Sequence, residues 1–307
     1  MRGLFANRKR MIVAKTLESG KRPLGVIVGE GKAAELLYQH LKEAGRPAHW
    51  IVLDSPGQMA PDWPDVPYHI RPITELGAIL KEFNQVGVTE LVFAGRMRRP
   101  VWHLLRPDML GLQLLGRLIT SLFRGDDAII RMVHKFLEEQ GFTIMSLTSI
   151  MPNLLISQGV QGKVTLTDRD QADMMLAAKA ASVVGILDAG QAAVARHGVV
   201  LGLEGVDGTD ALLRRCQALE HQGNVLVGAV VKMCKPIQDR RSDLPAVGET
   251  TVELAHAAGL KVIGLEAGAG ILLDPEATLA RADTLGVAII GIASPTKVTV
   301  EVTWRKS

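Results

Sequence analysis

From Pro23 onward the chain alternates short β-rich apolar runs with longer amphipathic segments, and this alternation narrows the possible folds more than any other feature. A strand that is apolar throughout must be covered on both faces. The helical segments between the strands supply that cover in βαβ units around a parallel sheet. Leu24–Val28 reads as a first strand, Lys32–Ala44 as its helix, Ala48–Leu53 as strand, Thr74–Gln85 as helix and Glu90–Ala94 as strand. This opening is Rossmann-like. Asp54–Pro67 carries four prolines and reads as a long loop. Helices are expected over 109–123 and 126–140, split by Arg124-Gly125-Asp126-Asp127, and a strand at Thr143–Leu147 closes this half.

A second α/β region follows 152–163. Asp168–Leu187 reads as helix, Ala192–Arg196 and Val199–Leu203 as a hairpin across His197-Gly198, Asp210–Glu220 as helix and Leu226–Met233 as strand. Thr250–Ala258, Val262–Glu266, Glu276–Asp283 and Val287–Ile292 continue the alternation. The expected organisation is a basic extension over 1–22, a Rossmann-like domain over 23–155, a second α/β domain over 160–293 and a tail over 294–307.

Composition excludes several classes. In 307 residues, 47% are hydrophobic and 22% charged, which suits a compact globular chain rather than a disordered or fibrous one. No apolar run is long enough to span a bilayer, and the apolar stretch after the N-terminal arginines is too short for a signal peptide, so a reducing cytoplasm is expected. Two cysteines, Cys216 and Cys234, cannot form a disulfide framework, and the eight histidines show no HxH or HExxH spacing. Seven basic side chains against Glu18 alone give residues 1–22 a charge of +6, so a whole-chain charge of +3 leaves the remaining 285 residues at −3. Such a tail could meet an anionic membrane surface or nucleic acid, or be a plain solvated extension.

Three constellations could carry chemistry. Gly29-Glu30-Gly31-Lys32-Ala33-Ala34 follows a strand, opens a helix and fits G-x-G-x-x-A, with Asp54 twenty residues beyond. It would suit a dinucleotide, although Gly-rich turns of this kind recur whatever the protein binds. Phe93-Ala94-Gly95-Arg96-Met97-Arg98-Arg99-Pro100, followed by Trp102, Leu104, Leu105 and Arg106, joins guanidinium groups suited to phosphate with apolar side chains suited to acyl chains. The densest set runs from Lys232 to Pro245. Lys232, Lys235, Asp239, Arg240, Arg241 and Asp243 fall within twelve residues, offering hard oxygen ligands for a divalent cation and cations for phosphate charge. Around it stand Asp188-Ala189-Gly190-Gln191, Glu204 to Asp210, Asp126-Asp127 and Glu266-Ala267-Gly268, with Thr209-Asp210 read as a helix cap.

The blocks FAGRMRRP at 93–100, RGDDAIIR at 124–131, DAGQ at 188–191, EGVDGTDALL at 204–213, KPIQDRRSDLPAVGETTVE at 235–253 and EAG at 266–268 resemble, in order, the LpxI-type UDP-2,3-diacylglucosamine diphosphatases of lipid A synthesis. The resemblance implies a Rossmann-like N-terminal domain followed by a second α/β domain peculiar to the family. It also implies a homodimer and Mg²⁺-dependent hydrolysis to UMP and 2,3-diacylglucosamine 1-phosphate, lipid X, with Mn²⁺ as a substitute. Asp243, the acid of the family's R-x-D-L-P, would be the catalytic or metal-binding carboxylate, with Asp210 and Glu204 as further metal candidates. Gly29, Gly31, Gly95, Asp126, Asp127, Gln191, Thr209, Asp210, Lys232, Lys235, Gln238 and Arg241 would line the substrate. The expected partners are the UDP-diacylglucosamine lipid and the inner-leaflet surface, reached from the cytoplasm, and no nucleic acid. An NAD(P)-dependent oxidoreductase and a non-catalytic nucleotide-sugar or lipid binder are the rival readings.

Overall fold

The computed structural model describes residues 22–54, 60–96, 107–119, 126–219, 225–236, 238–241 and 244–293, without the side chains of 118, 119, 126 and 127. Two compact units emerge, one from residues up to 118 together with 134–145, the other from 119–133 together with 146 onward.

The first unit is built on β1 (Leu24–Val28), β2 (Ala48–Leu53), β3 (Tyr68–Arg71), β4 (Glu90–Ala94) and β5 (Thr143–Met145), all parallel in the order β3-β2-β1-β4-β5. The order reverses direction between β1 and β4, so their carboxyl ends form the crevice where open α/β sheets take ligands. Every residue of β1 is buried. Helix α1 (Lys32–Glu43) buries Ala34, Leu37, Tyr38 and Leu41, and α2 (Leu76–Gln85) buries Leu76, Ile79, Leu80 and Phe83, each a stripe at helical spacing. The proline-rich loop is tied down through Trp63, whose ring stacks on Tyr38 at 5.0 Å and whose indole N–H donates to Glu35 at 2.6 Å. Helix α3 (Met109–Ile119) and helix α4 (Asp126–Glu139) follow β4.

In the second unit, after the short helix α5 (Leu147–Ile150), come β6 (Gly159–Val160), α6 (Asp168–Ile186), β7 (Ala192–Arg196), β8 (Val199–Leu203), α7 (Gly208–Gln217) and β9 (Ala229–Lys232). They are followed by β10 (Ala246–Val247), α8 (Glu249–Ala257), β11 (Val262–Glu266), β12 (Ile271–Leu272), α9 (Pro275–Leu285) and β13 (Ala288–Ile292). Six of these strands form one mixed sheet, β6-β13-β11-β9-β7-β8, with β9, β11 and β13 parallel and β7 antiparallel to β9. Alternate residues of the buried strands face opposite ways. Ala193, Ala195, Ala229 and Val231 meet Met174, Ala177, Ala178 and Ala181 of α6 in one core. Ala192, Val194, Val230 and Ile263 join Leu212, Leu213, Val252 and Ala282 in the other. Among the described residues, no helix is long and apolar enough to cross a membrane.

Buried carboxylates fix two of the junctions. Thr167 and Asp170 form a capping box at the start of α6, and Asp170 also receives Lys261 at 2.7 Å. Burial opposes ionisation of Asp170, yet the hydrogen bonds from Lys261 and Thr167 outweigh it and its pKa lies below the usual value. Its contribution to stability is therefore full above the unfolded carboxyl pKa and fades as pH falls through the lower folded one. Asp173, fully buried, accepts the N–H groups of His197 and Gly198 at 2.9 and 2.8 Å. Both of these turn residues have positive φ, as a two-residue hairpin of this twist demands. An amide would present an N–H to one of those donors, so Asp173→Asn is expected to cost about 2 kcal/mol in urea unfolding. A change within about 0.5 kcal/mol would show that the turn holds itself.

Candidate functional site

The antiparallel register pairs Ala192 with Lys232, and Ala193 with Leu203. The segment entering β7, the segment leaving β8 and the segment leaving β9 therefore meet at one end of the sheet. The carboxyl end of β11 lies beside them, since Leu265 pairs with Lys232. This register joins stretches of sequence some forty residues apart and gathers most of the second unit's candidates.

The loop leaving β9 is held by hydrogen bonds from both directions. Gln238 is buried; its side-chain oxygen accepts the Lys235 backbone N–H at 3.0 Å, its backbone N–H donates to the Lys235 carbonyl at 3.1 Å, and its side-chain Nε2 donates to Gln191 Oε1 at 3.3 Å. The Lys235 ammonium pairs with Asp188 at 2.8 Å, both side chains being nearly buried. Asp188 itself sits at φ 53, and its second oxygen is buried with no hydrogen-bond partner among the described residues. A buried carboxylate oxygen left in this state is costly unless a cation or a donor completes it. Lys232 is buried and donates to the Ala246 carbonyl at 2.9 Å. Glu266 accepts the Cys234 N–H at 3.0 Å and receives Arg240 at 3.4 Å. Arg241 is gripped by Asp239, whose two oxygens take its Nε at 3.0 Å and its Nη2 at 2.8 Å.

Glu204 organises the neighbouring turn. Buried, it accepts the Gln191 N–H and the Thr209 hydroxyl, each at 2.6 Å. Gly190 lies so close that a Cβ there would stand 2.5 Å from the Glu204 carbonyl. The Thr209 side chain therefore does not cap its helix: α7 begins at Gly208, and Thr209 is spent on Glu204. Both carboxylate oxygens of Glu204 are already engaged, which makes it a scaffold for Gln191 and Thr209 before it is anything else. The side chain of Asp210, next along α7, makes no hydrogen bond or ion pair among the described residues and is only partly exposed.

Asp188, Asp239 and Glu266 act here as anchors that hold the loop's cations and backbone, a role that the sequence pattern alone did not assign. Their acidic character beside the basic run was the available signal. Cys216 is buried in the core, which pushes its thiol pKa up, and Cys234 is half-buried with its sulfur 3.9 Å from the Ala269 carbonyl. Both behave as small apolar residues.

In the first unit, Gly29 and Gly95 face each other across the ends of β1 and β4. Glu30 and Arg96 exchange backbone hydrogen bonds at 3.0 and 2.7 Å. A Cβ on Gly29 would meet the Arg96 carbonyl at 2.4 Å, and one on Gly95 the Glu30 carbonyl at 2.5 Å. Glycine is thus demanded at both positions by the backbone of the adjacent strand end, without a pyrophosphate. Gly31, at φ 99, starts α1 with open space around it.

Asp243 lies outside the described residues, as do Ser242, Trp102, Leu104, Leu105, the arginines from 98 to 106, the extension over 1–21 and the tail from 294. The side chains of Asp126 and Asp127 at the start of α4 do so too.

Residues 23–154 match the LpxI N-terminal domain and residues 157–290 the LpxI C-terminal domain. The chain is also 36% identical over 275 residues to the UDP-2,3-diacylglucosamine pyrophosphatase LpxI of Caulobacter vibrioides, an alignment covering 88% of this chain and 98% of that relative. With both family domains present in order and the relative matched nearly end to end, the chain belongs to the LpxI family.

Proposed function

We propose that this protein hydrolyses the diphosphate of UDP-2,3-diacylglucosamine, releasing UMP and 2,3-diacylglucosamine 1-phosphate, with Mg²⁺ as its cofactor. The observation that carries the reading is the loop after β9, where Lys235, Gln238 and Arg241 are each held in place by Asp188, Gln191 and Asp239. Cations fixed before substrate arrives lose little freedom on binding and neutralise diphosphate charge without reorganisation.

The donor chemistry fits a hard cation. The candidate ligands are carboxylates, Asp188 keeps a buried oxygen without a partner, and Asp210 is unengaged among the described residues. Asp243 and Asp210 would hold Mg²⁺, which supplies charge neutralisation at the reacting phosphate. The protein's own groups do the rest. Lys235 and Arg241 bind diphosphate oxygens, Lys232 and Gln238 keep the loop against the sheet, and the Gln191 amide and the first turn of α7 orient the nucleotide side. Asp243 would orient the attacking water and take its proton as the water oxygen bonds to one phosphorus; the bond from that phosphorus to the bridging oxygen breaks, and the bridging oxygen leaves with the other phosphate.

The substrate carries two acyl chains and resides in a bilayer. A chain with the +6 extension at residues 1–22 would approach the inner leaflet from the cytoplasm through anionic lipid headgroups. The apolar residues Trp102, Leu104 and Leu105 would take part of the acyl chains. A homodimer fits the edge strand β8, which leaves Val199, Val200 and Leu203 exposed.

Exhaustive chelation followed by metal add-back tests the cofactor assignment. Activity should vanish and return with millimolar Mg²⁺ or Mn²⁺. Full activity in the chelated protein would contradict it.

A further inference from the structure

Outside this site, one cluster has the chemistry of a metal centre. His49 on β2 and His69 on β3 lie on the same face of the sheet edge, because His69 pairs with Ile51, two residues beyond His49. Their rings meet edge to face, with centroids 5.5 Å apart. Glu82, from the second turn of α2, reaches both. Its Oε2 stands 2.5 Å from His69 Nδ1 and 3.8 Å from His49 Nε2, while Oε1 takes Arg71. One ligand atom from each of the three residues lies within 4.8 Å of the others. Among the described residues, His49 Nε2 is buried and has no hydrogen-bond partner. An imidazole nitrogen in that state loses hydration without compensation, and a cation would supply it.

We propose that His49, His69 and Glu82 form a binding site for a borderline transition-metal cation of the Zn²⁺ class, distinct from the Mg²⁺-type carboxylate chemistry of the second unit. Two imidazoles and one carboxylate are a donor set that hard Mg²⁺ does not select and Zn²⁺ does. Ligand bonds of about 2.0–2.2 Å in a tetrahedral shell place ligand atoms roughly 3.3 Å apart. His69 and Glu82 need to open by about 0.8 Å from their present contact, and His49 to approach by about 0.5 Å. The His69 side chain is half exposed, so it can make that adjustment and leave a water the fourth position. Arg71 stays on the other oxygen of Glu82 and fixes the carboxylate's orientation, the part that outer partners of a metal ligand play. The site would pin β3 to β2 and α2. Strand β3 is a four-residue edge strand with none of its residues fully buried, so it is the strand of this sheet with most to gain from a clamp.

The test uses the full-length protein, stripped of metal and then held in millimolar Mg²⁺ so that hard-cation sites are filled. Titration with Co²⁺ should give ligand-field absorption of tetrahedral intensity, saturating at one equivalent and displaced by one equivalent of Zn²⁺. His49→Gln and His69→Gln should each weaken Co²⁺ binding about tenfold or more. His69 is exposed enough that its variant keeps the fold even where His49→Gln does not. Zn²⁺ should also raise the urea midpoint of the parent protein and leave that of His69→Gln unchanged. A parent protein that takes up no stoichiometric Co²⁺ or Zn²⁺ would overturn the proposal. So would absorption that survives in His69→Gln, or thiolate charge-transfer bands placing the metal at a cysteine.

Discussion

Asp243→Ala should lower turnover by on the order of a hundredfold or more while substrate still binds. A carboxylate that orients the attacking water and helps hold Mg²⁺ acts most strongly where charge on the transferred phosphoryl group is redistributed. On the proposed function, the acyl chains and uridine would contribute affinity through contacts that this substitution does not touch. Asp239 supplies the comparison. It sits four residues earlier, and its carboxylate is committed to Arg241 through both oxygens and through the Arg241 N–H at 3.0 Å. Asp239→Ala should therefore act mainly by loosening Arg241, raising KM more than it lowers kcat, and be milder than Asp243→Ala. Asp239→Glu keeps the charge but loses the short reach to the backbone two residues on, so a modest rise in KM is expected. A reversed order, with Asp243→Ala active and Asp239→Ala dead, would move the catalytic carboxylate to Asp239. The measurement is steady-state UMP release, with lipid binding by the variants followed separately.

Glu204 carries the second large effect. Glu204→Ala strands the part-buried N–H of Gln191 and the buried hydroxyl of Thr209 together, and should cost about 3 kcal/mol of stability and at least tenfold in activity. Glu204→Gln should be far gentler. The amide oxygen can keep the Gln191 N–H, and the amide N–H₂ can donate to Thr209, whose hydroxyl rotates to accept. If Glu204 ligated metal instead, the glutamine variant would retain its fold but need much more Mg²⁺ to reach half-activity. Urea midpoints and Mg²⁺ titrations of the two variants separate the roles.

The strands that carry the architecture were legible because they are buried on both faces. Leu24–Val28, Ala48–Leu53, Glu90–Ala94 and Val262–Glu266 read as continuous apolar runs and fold within the same bounds. The hairpin across His197-Gly198 was legible for a different reason, the turn chemistry of two residues at positive φ. Strand β3 was not. Tyr68-His69-Ile70-Arg71 is polar and half exposed, follows a proline-rich stretch, and is a strand only because β2 offers it an edge. The strand expected over Thr143–Leu147 stops at Met145 because the Ser146 hydroxyl accepts the Ser149 N–H and starts α5.

The site divides along the same line. The basic run from Lys232 to Arg241 is visible in sequence as a polar loop after an apolar strand. Its anchors are not, since Lys235 and Asp188 are 47 residues apart and meet only through the antiparallel pairing of β7 with β9. The histidines show the limit most clearly. Neither HxH nor HExxH spacing is present, yet adjacent strands and α2 bring His49, His69 and Glu82 together.

The products identify the bond that breaks. Incubating the full-length protein with UDP-2,3-diacylglucosamine and Mg²⁺, with and without EDTA, and resolving the products reveals it most directly. UMP and 2,3-diacylglucosamine 1-phosphate should form in equal amounts, and only without the chelator. Release of UDP with the free acylated sugar, or retention of the lipid with no turnover at any divalent metal, would contradict the proposed hydrolysis.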